Sequence, residues 1–217
     1  MKLYDAGLSP NALRVRAVAD ELGLPLQLVE VNLGDPAARA AAIGGLNPNG
    51  KVPVLVDGDL VLWESRAIIA YLAALRPEAG LYPDPPRQRA VIDQWSYWQA
   101  AHLNPIVQRI TYERLFRPAF GRGAPDEAAI AEPLREVAHL CRILDRALQD
   151  RPFITGALSL ADFTLASTFA YRVPTGLSLA ATPALAGWLA RVEARPSWQL
   201  AAEPIRAFLA GIAFNRH

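Results

Sequence analysis

A segment crowded with proline and glycine divides this chain into two parts. Residues 76–86 contain Pro77, Gly80, Pro83, Pro85 and Pro86. Neither a helix nor a central strand tolerates so many of these residues in its interior. The segment therefore predicts a linker between an N-terminal domain at 1–75 and a C-terminal domain at 87–217. In a chain of 217 residues, either part is long enough to build its own core.

The N-terminal part alternates between strand-like and helix-like stretches in the order β-α-β-α-β-β-α. Ser9 and Pro10 predict the start of the first helix, because serine favours the N-cap and proline the first helical position. The apolar runs 54–56 and 60–62 flank Asp57-Gly58-Asp59, which predicts a hairpin. A βαβ unit followed by a hairpin indicates an α/β domain with a small mixed sheet and helical cover.

The C-terminal part is predicted to be all-α. Apolar residues recur there with helical spacing at Leu134, Val137, Cys141, Leu144 and Leu148. Ser159 and Asp162 have the spacing of a capping box at the start of another helix. We therefore expect Asp162 to bind a backbone donor and to matter for folding.

The charges of the chain nearly balance, with 22 Lys and Arg against 21 Asp and Glu. Proteins that bind nucleic acids or anionic membranes normally carry a basic face, so this balance argues against both. No apolar run reaches the roughly 18 residues of a membrane span, and Asp5 interrupts the N-terminus before a signal peptide could form. We therefore expect a cytoplasmic protein. Its abundance of alanine and arginine indicates the coding bias of a bacterial source.

The chain lacks the usual signatures of metal, redox or nucleotide chemistry. Its one cysteine, Cys141, excludes an intrachain disulfide, a CxxC motif and a zinc knuckle, and is expected in the core. The histidines His102, His139 and His217 do not have metal-ligand spacing, so no metal is expected. There is no GxSxG elbow, P-loop or GxGxxG motif.

Three short motifs in the N-terminal part could form one binding site. Ser9-Pro10-Asn11 lies at a predicted strand-to-helix turn. The run from Asn47 to Pro53 ends in a Val-Pro step that fits a cis-proline turn. Glu64-Ser65 begins a predicted helix. Taken singly, each motif has a plainer interpretation, as a helix cap or an ordinary loop.

Taken together, the three motifs describe the footprint of a small anionic peptide. Ser65 and the helix N-terminus would bind a carboxylate. Val52 would pair its backbone with an extended peptide, as in strand addition. Ser9 would contact a polar group of the same ligand.

Along its whole length the sequence resembles the cytosolic glutathione transferases. The resemblance rests on Asn47-Pro48-x-Gly50-x-Val52-Pro53, the hairpin, Glu64-Ser65-Arg66-Ala67-Ile68 with Tyr71-Leu72, and Ser159-Leu160-Ala161-Asp162 in the family's folding-box position. It implies a thioredoxin-like N-terminal domain, an all-helical C-terminal domain and glutathione as co-substrate. It also implies a homodimer, with Arg66 and the helix near Arg87 at the interface.

The resemblance implies a role for each residue of the site. Ser9 resembles the serine that holds the glutathione thiolate in the phi- and theta-like classes. Val52, before Pro53, resembles the residue whose backbone pairs with the cysteinyl unit. Glu64 and Ser65 resemble the γ-glutamyl binding pair. Lys51 and Arg39 take positions from which basic residues reach the glycyl carboxylate.

Asn11 leaves a second class open. Ser9-Pro10-Asn11-Ala12 also resembles the Thr-Pro-Asn-Gly turn of the nu class, whose members act mainly as glutathione-dependent disulfide reductases. There the asparagine and the hydroxyl residue both contact sulfur. Cysteine-based classes are excluded because no cysteine occupies this turn, and Tyr4 lies too early to suit the tyrosine-based classes.

The leading interpretation is therefore conjugation of glutathione to a hydrophobic electrophile. Glutathione-dependent reduction of disulfides or peroxides and a non-enzymatic role in binding ligands or partners are the alternatives. The electrophile is expected in a pocket between the two parts, with candidate lining residues Leu8, Trp98, His102, Ile106, Tyr112, Phe116 and Phe208. Each of them also fits a core position, and His102 also fits a hydrogen-bonded structural histidine.

Overall fold

The computed structural model describes residues 1–214, which divide into two compact units. The first unit comprises Met1–Pro83 and Arg195–Phe208, and the second comprises Asp84–Ala194 with the residues from Leu209. The division into domains at 1–75 and 87–217 with a linker at 76–86 stays a prediction. In packing, however, Arg195–Phe208 lie with the N-terminal residues, because side chains of the first helix bind that segment.

The first unit has the predicted element order. It runs through β1 (Lys2–Asp5), α1 (Pro10–Glu21), β2 (Gln27–Glu30), α2 (Pro36–Ile43), β3 (Val54–Asp57), β4 (Leu60–Trp63) and α3 (Ser65–Ala74). A short 3₁₀ turn, Pro77–Ala79, follows α3. The predicted hairpin forms around Gly58, whose φ of 60° suits the left-handed turn that glycine allows.

In the part of the chain that the structure describes, the strands form a four-stranded sheet in the order β2-β1-β3-β4. β1 runs parallel to β2 and antiparallel to β3, with Tyr4 opposite both Val29 and Val54. β3 runs antiparallel to β4, with Val54 opposite Trp63. The carboxyl ends of β1, β2 and β4 therefore meet the amino end of β3 at one end of the sheet.

The second unit is helical. Its helices are α4 (Pro86–Trp98), α5 (Asn104–Thr111), α6 (Arg117–Ala119), α7 (Glu127–Leu148), α8 (Leu160–Thr168) and α9 (Pro183–Glu193). π-Helical turns at Gln99–Leu103 and Tyr112–Phe116 join α4, α5 and α6 into one continuous helical stretch. Every residue of α8 is buried, and α4 and α9 pack against it.

The predicted capping box at the start of α8 is confirmed. Asp162 accepts the backbone N–H of Ser159 at 2.8 Å and that of Ile154 at 2.9 Å. It also accepts the indole N–H of Trp188 at 2.8 Å, which ties α8 to α9. Asp162 is fully buried, so it organises the interior of the second unit.

The chain returns to the first unit through α10 (Pro196–Ala201) and then continues into α11 (Glu203–Phe214). α10 packs against α1. Glu21, at the end of α1, binds the guanidinium of Arg195 and accepts the hydroxyl of Ser197 at 2.6 Å. These contacts hold the returning segment against the end of the first helix.

No helix in the described residues is both long and apolar enough to cross a membrane.

Candidate active site

The three predicted motifs meet at one end of the sheet. Ser9 follows β1, Val52 precedes β3 by two residues, and Ser65 follows β4 by two residues. Because these strand ends adjoin in the sheet, the three motifs lie side by side at that edge. One apolar cluster links two of them, since it contains Ala6, in the turn that leads to Ser9, and Val52. The topology thus brings together the segments that the sequence proposed for a single ligand.

Ser9 caps α1 and keeps its hydroxyl proton available. Its backbone is extended, and its side-chain oxygen accepts the N–H of Ala12 at 3.3 Å. A hydroxyl has one donor besides its acceptor sites, and within the described residues that donor has no partner. Capping and binding to a negative atom are therefore compatible functions of one side chain. Asn11 stands two positions later in the first turn of α1 and is half-buried.

Asn47 organises the loop that leads to Val52. Its amide donates to the carbonyl of Lys51 at 2.7 Å, and its amide oxygen accepts the N–H of Asn49 at 2.9 Å. The Val52–Pro53 peptide bond is cis, as the sequence suggested. Among the described residues, no hydrogen bond engages the backbone of Val52, whose side chain is buried in the apolar cluster. The loop therefore presents that backbone for pairing.

Glu64 and Ser65 begin α3 with an unusual backbone. Glu64 has φ 70° and ψ 109°, in a region that side-chain-bearing residues seldom occupy. The next residue, Ser65, is only 4% exposed and is the first of the helix. The first N–H groups of a helix have no partner within it, so the hydroxyl of Ser65 stands at the positive end of the helix. That combination suits a carboxylate.

A charged cluster that the sequence did not predict lies behind this turn. Arg14, on α1, is completely buried, and burial lowers its pKa well below the ordinary value, with Arg66 adding to the effect and Glu64 opposing it. Burial likewise lowers the pKa of Arg66, against the attraction of Glu64. The two guanidiniums and the Glu64 carboxylate therefore interact at the start of α3. A single sequence offered no signal for this, because an arginine in a surface-type helix normally faces water.

Arg16, also on α1, steadies the turn before Ser9. It is paired with Asp5 at 2.5 Å and donates to the carbonyls of Gly7 at 3.1 Å and Ala201 at 3.0 Å. A Cβ atom at Gly7 would lie 2.8 Å from the ring of Pro204, so glycine is required there. Strand β1, the Ser9 turn and the end of α10 are thereby held together. These long-range partners could not be read from the sequence.

The remaining glutathione-site candidates lie beside these motifs or near them. Lys51 is exposed and directly precedes Val52. Arg39 is half-buried in the middle of α2, which follows the β2 end of the same sheet edge. Neither side chain bonds to another described residue, so both cations are available to an anionic group.

The electrophile-pocket candidates fall in both units. Leu8 and Phe208 belong to the first unit and are half-buried. Trp98, His102, Ile106, Tyr112 and Phe116 follow the helical stretch from α4 to α6, three of them within its π-helical turns. π-Helical turns are frequent at functional sites. A common pocket for these residues stays a prediction.

His102 is exposed and lies against Trp98, with ring centroids 6.3 Å apart. Its side chain makes no hydrogen bond within the described residues, and its role, whether toward a substrate or as a structural histidine, stays a prediction. Phe116 packs edge-on against the buried ring of Tyr171 at 5.1 Å, so part of its surface serves the core of the second unit. Among described residues, no cluster of three His, Cys, Asp or Glu side chains is placed to hold a metal ion.

Comparison with known protein families gives two matches that together cover most of the chain. Residues 3–80 match the model of the glutathione S-transferase N-terminal domain, and residues 103–196 match that of the glutathione S-transferase C-terminal domain. The two matches correspond to the sheet-containing part and to the helical part.

Individual proteins agree with this assignment. Glutathione S-transferase 3 of Zea mays is 34% identical over 204 residues, which cover 92% of this chain and 91% of the relative. A theta-class glutathione S-transferase from Xanthomonas axonopodis pv. citri, solved with glutathione bound, is 31% identical with a TM-score of 0.81, covering 93% of this chain and 96% of that one. Maize glutathione S-transferase I, solved with an atrazine glutathione conjugate, is 29% identical with a TM-score of 0.84, covering 94% and 97%.

Proposed function

This chain belongs to the glutathione S-transferase family, and from that premise we infer that it conjugates glutathione to hydrophobic electrophiles through a thiolate held by Ser9. The observation that carries the inference is the hydrogen bonding of Ser9. Its oxygen caps α1, and its proton remains free to donate to sulfur. No side-chain base is needed, because the thiolate is stabilised by donation and by the helix end.

The free energies support this mechanism. A free thiol of cysteine type has a pKa near 8.5, so most of it is protonated at neutral pH. Lowering that pKa by about two units requires roughly 2.7 kcal/mol of preferential stabilisation of the thiolate. A hydrogen bond to a charged group supplies about 1.5–3 kcal/mol, and the N-terminus of α1 adds about 0.3–1 kcal/mol. Together these two contributions are of the required size.

The rest of glutathione would lie along the same sheet edge. We assign its γ-glutamyl carboxylate to Ser65 and the first N–H groups of α3, with Glu64 beside its amino group. The backbone of Val52, before Pro53, pairs with the cysteinyl unit as an added strand. Lys51 and Arg39 face the glycyl carboxylate. The assignment is supported by the common edge that these segments share and by the glutathione-bound theta-class relative.

The electrophile class is inferred from the pocket candidates and from relatives. The candidates are mostly aromatic or aliphatic, which favours an apolar substrate. The maize relative was solved with an atrazine glutathione conjugate, an example of a glutathione adduct of a small organic electrophile. The most direct contributions to rate would be thiolate formation and the holding of the electrophile next to sulfur.

Substitution of Ser9 by alanine tests the mechanism. We expect the pKa of bound glutathione to rise and turnover at neutral pH to fall roughly 10- to 150-fold, as the loss of about 1.5–3 kcal/mol implies. Affinity for glutathione should hardly change, because other residues hold the rest of the ligand. Ultraviolet titration of the bound thiolate and kinetics with a haloarene measure the two quantities. A wild-type thiol pKa near 8.5 would exclude a catalytic role for this site.

Asn11→Ala is the matched control, since it changes a neighbouring side chain in the same turn. If Asn11→Ala leaves turnover and the pKa of bound glutathione unchanged, the serine-type mechanism is supported. If Asn11→Ala instead loses most of its turnover and Ser9→Ala loses little, glutathione-dependent disulfide reduction becomes the better interpretation. That activity is assayed with a small disulfide and glutathione.

We also propose that the enzyme is a cytoplasmic homodimer and that it binds neither nucleic acids nor membranes. The family resemblance and the balanced charge of the chain support it.

A further inference from the structure

A second concave site lies wholly within the helical unit. It is a cavity of about 220 Å³ between α7 and the loop that joins α8 to α9. Its lining includes Cys141, Arg142, Phe169, Leu177, Leu179 and Thr182. None of the residues assigned to glutathione or to the electrophile lines it. The cavity is therefore a feature that the conjugation chemistry does not explain.

The wall of this cavity is held in place by specific bonds. Arg114 donates to the carbonyl of Thr175 at 3.0 Å and forms a two-pronged pair with Glu127. Thr175 in turn donates to the carbonyl of Tyr171 at 2.8 Å. Thr182, at the far end of the loop, is 4% exposed and donates to the carbonyl of Leu179 at 3.1 Å. A loop with this many internal bonds forms a preorganised wall, as small-molecule sites usually have.

The interior of the cavity is mostly apolar, and one cation stands at its edge. Phe169 is completely buried, and Leu177 and Leu179, which also line the cavity, are half-buried. Arg142, on α7, is exposed, and its guanidinium makes no hydrogen bond or ion pair within the described residues. The nearby carboxylate of Asp145 is already engaged with the N–H of Leu185 at 3.0 Å. Arg142 is thus the charged group that an incoming ligand meets.

We propose that this cavity binds a small aromatic monocarboxylate, with the ring among the apolar side chains and the carboxylate at Arg142. Size supports a single ring, because a cavity of about 150 Å³ accepts benzene and 220 Å³ leaves room for a short acid arm. Charge supports the carboxylate, because a guanidinium matches its two oxygens. The site is independent of glutathione, so conjugation and occupancy of the cavity can coexist.

The single cysteine of the chain reports on this cavity directly. Cys141 is one of its lining residues, and burial raises the pKa of its thiol to about 11. A maleimide must therefore enter the cavity and will label the thiol slowly. With 3-phenylpropanoate at ten times its dissociation constant, we expect labelling by N-ethylmaleimide to slow by about tenfold. The neutral amide, 3-phenylpropanamide, should protect less at the same concentration.

Two substitutions on the exposed side of α7 distinguish the contribution of the Arg142 charge from that of the cavity volume. Arg142→Ala should weaken 3-phenylpropanoate about two- to fivefold, the range for an exposed charge pair, and leave the amide unchanged. Arg146→Ala, one turn further and outside the cavity, is the matched control. Ala138→Phe fills the cavity and should abolish binding of both compounds, as measured by calorimetry, with glutathione affinity unchanged.

The proposal is overturned if calorimetry detects no binding of 3-phenylpropanoate to the wild type. It is also overturned if binding survives in Ala138→Phe, or if saturating S-hexylglutathione displaces the compound, because the ligand then occupies the conjugation site. Equal binding of acid and amide in the wild type would refute the role of Arg142.

Discussion

At the scale of single residues, Ser65 and Ser9 are two serines at helix starts with different expected functions. Ser65→Ala should weaken glutathione binding roughly 10- to 150-fold, because a hydrogen bond to a carboxylate is worth about 1.5–3 kcal/mol. The pKa of the bound thiol should stay unchanged. Ser9→Ala serves as the control with the opposite profile. If calorimetry finds the same glutathione affinity in Ser65→Ala as in the wild type, the glutathione carboxylate does not bind at the start of α3.

Asp162 allows a test of stability at one residue. Asp162→Ala leaves the donors of Ile154, Ser159 and Trp188 without their acceptor, each at a cost of about 1–3 kcal/mol. The melting temperature should fall by roughly 6 °C or more, since 1 kcal/mol shifts a domain of this size by about 2–4 °C. Asp150→Asn, at an exposed position, is the control. Calorimetric melting of Asp162→Ala at the wild-type temperature would contradict the structural role.

Local chemistry made some residues predictable. Ser9 and Ser159 were found because caps depend on the next three residues, and the Val52–Pro53 turn because proline is the usual site of a cis bond. Arg14 and Arg16 were missed because their burial depends on partners distant in the chain. The backbone of Glu64 was missed because glutamate has no preference for positive φ.

At the scale of elements, the contact between α1 and the start of α10 is sensitive to pH. Burial alone would raise the pKa of Glu21, but hydrogen bonds from Arg195 and Ser197 outweigh it and hold the pKa below its ordinary value of 4.5. A carboxylate with a lowered pKa in the folded state stabilises the protein above the unfolded pKa. That contribution is lost as pH falls through the folded pKa. The free energy of unfolding should therefore decrease below about pH 4.5.

Arg195→Gln should remove much of this acid dependence and cost about 1 kcal/mol at neutral pH, since the pair is partly exposed. Arg206→Gln, in the exposed pair with Glu203, is the control and should change neither quantity appreciably. Urea unfolding between pH 3.5 and 7 measures both. If the free energy of unfolding falls equally steeply at acid pH in Arg195→Gln and in the wild type, the contribution of Glu21 is refuted.

Elements with a strong local signal were predicted, and those that depend on context were not. The hairpin and the order of strands and helices in the first unit follow from turn residues and periodicity. The π-helical turns lie inside helical sequence without a distinguishing residue type. The assignment of α10 to the first unit depends on Arg16 and Glu21 finding partners about 175 to 185 residues away.

At the scale of the whole molecule, exposed apolar side chains on β4 support the proposed homodimer. Leu60, Val61 and Trp63 are 36–38% exposed on the edge strand of the sheet, and Arg66 follows Trp63 by three residues in the sequence. Such an edge normally needs cover. We expect a sedimentation mass of twice 23.6 kDa at micromolar concentration. Trp63→Glu should shift the protein toward a monomer, whereas Val173→Glu, at an exposed apolar residue of the second unit, should not.

A wild-type mass of 23.6 kDa at that concentration would exclude the dimer. If Trp63→Glu dimerises as the wild type does, the dimer interface does not include β4.

The return of the chain to its first unit bears on how the protein is made. A ribosome releases Met1–Pro83 long before Arg195–Phe208. Until then, Arg16 lacks the carbonyl of Ala201, and Glu21 lacks Arg195 and Ser197. The second unit, by contrast, has received Asp84–Ala194 without a break. The first unit therefore stays incomplete until most of the second unit has been synthesised. During that interval the nascent N-terminal part exposes the α1 surface that α10 later covers, and a chaperone would bind it there.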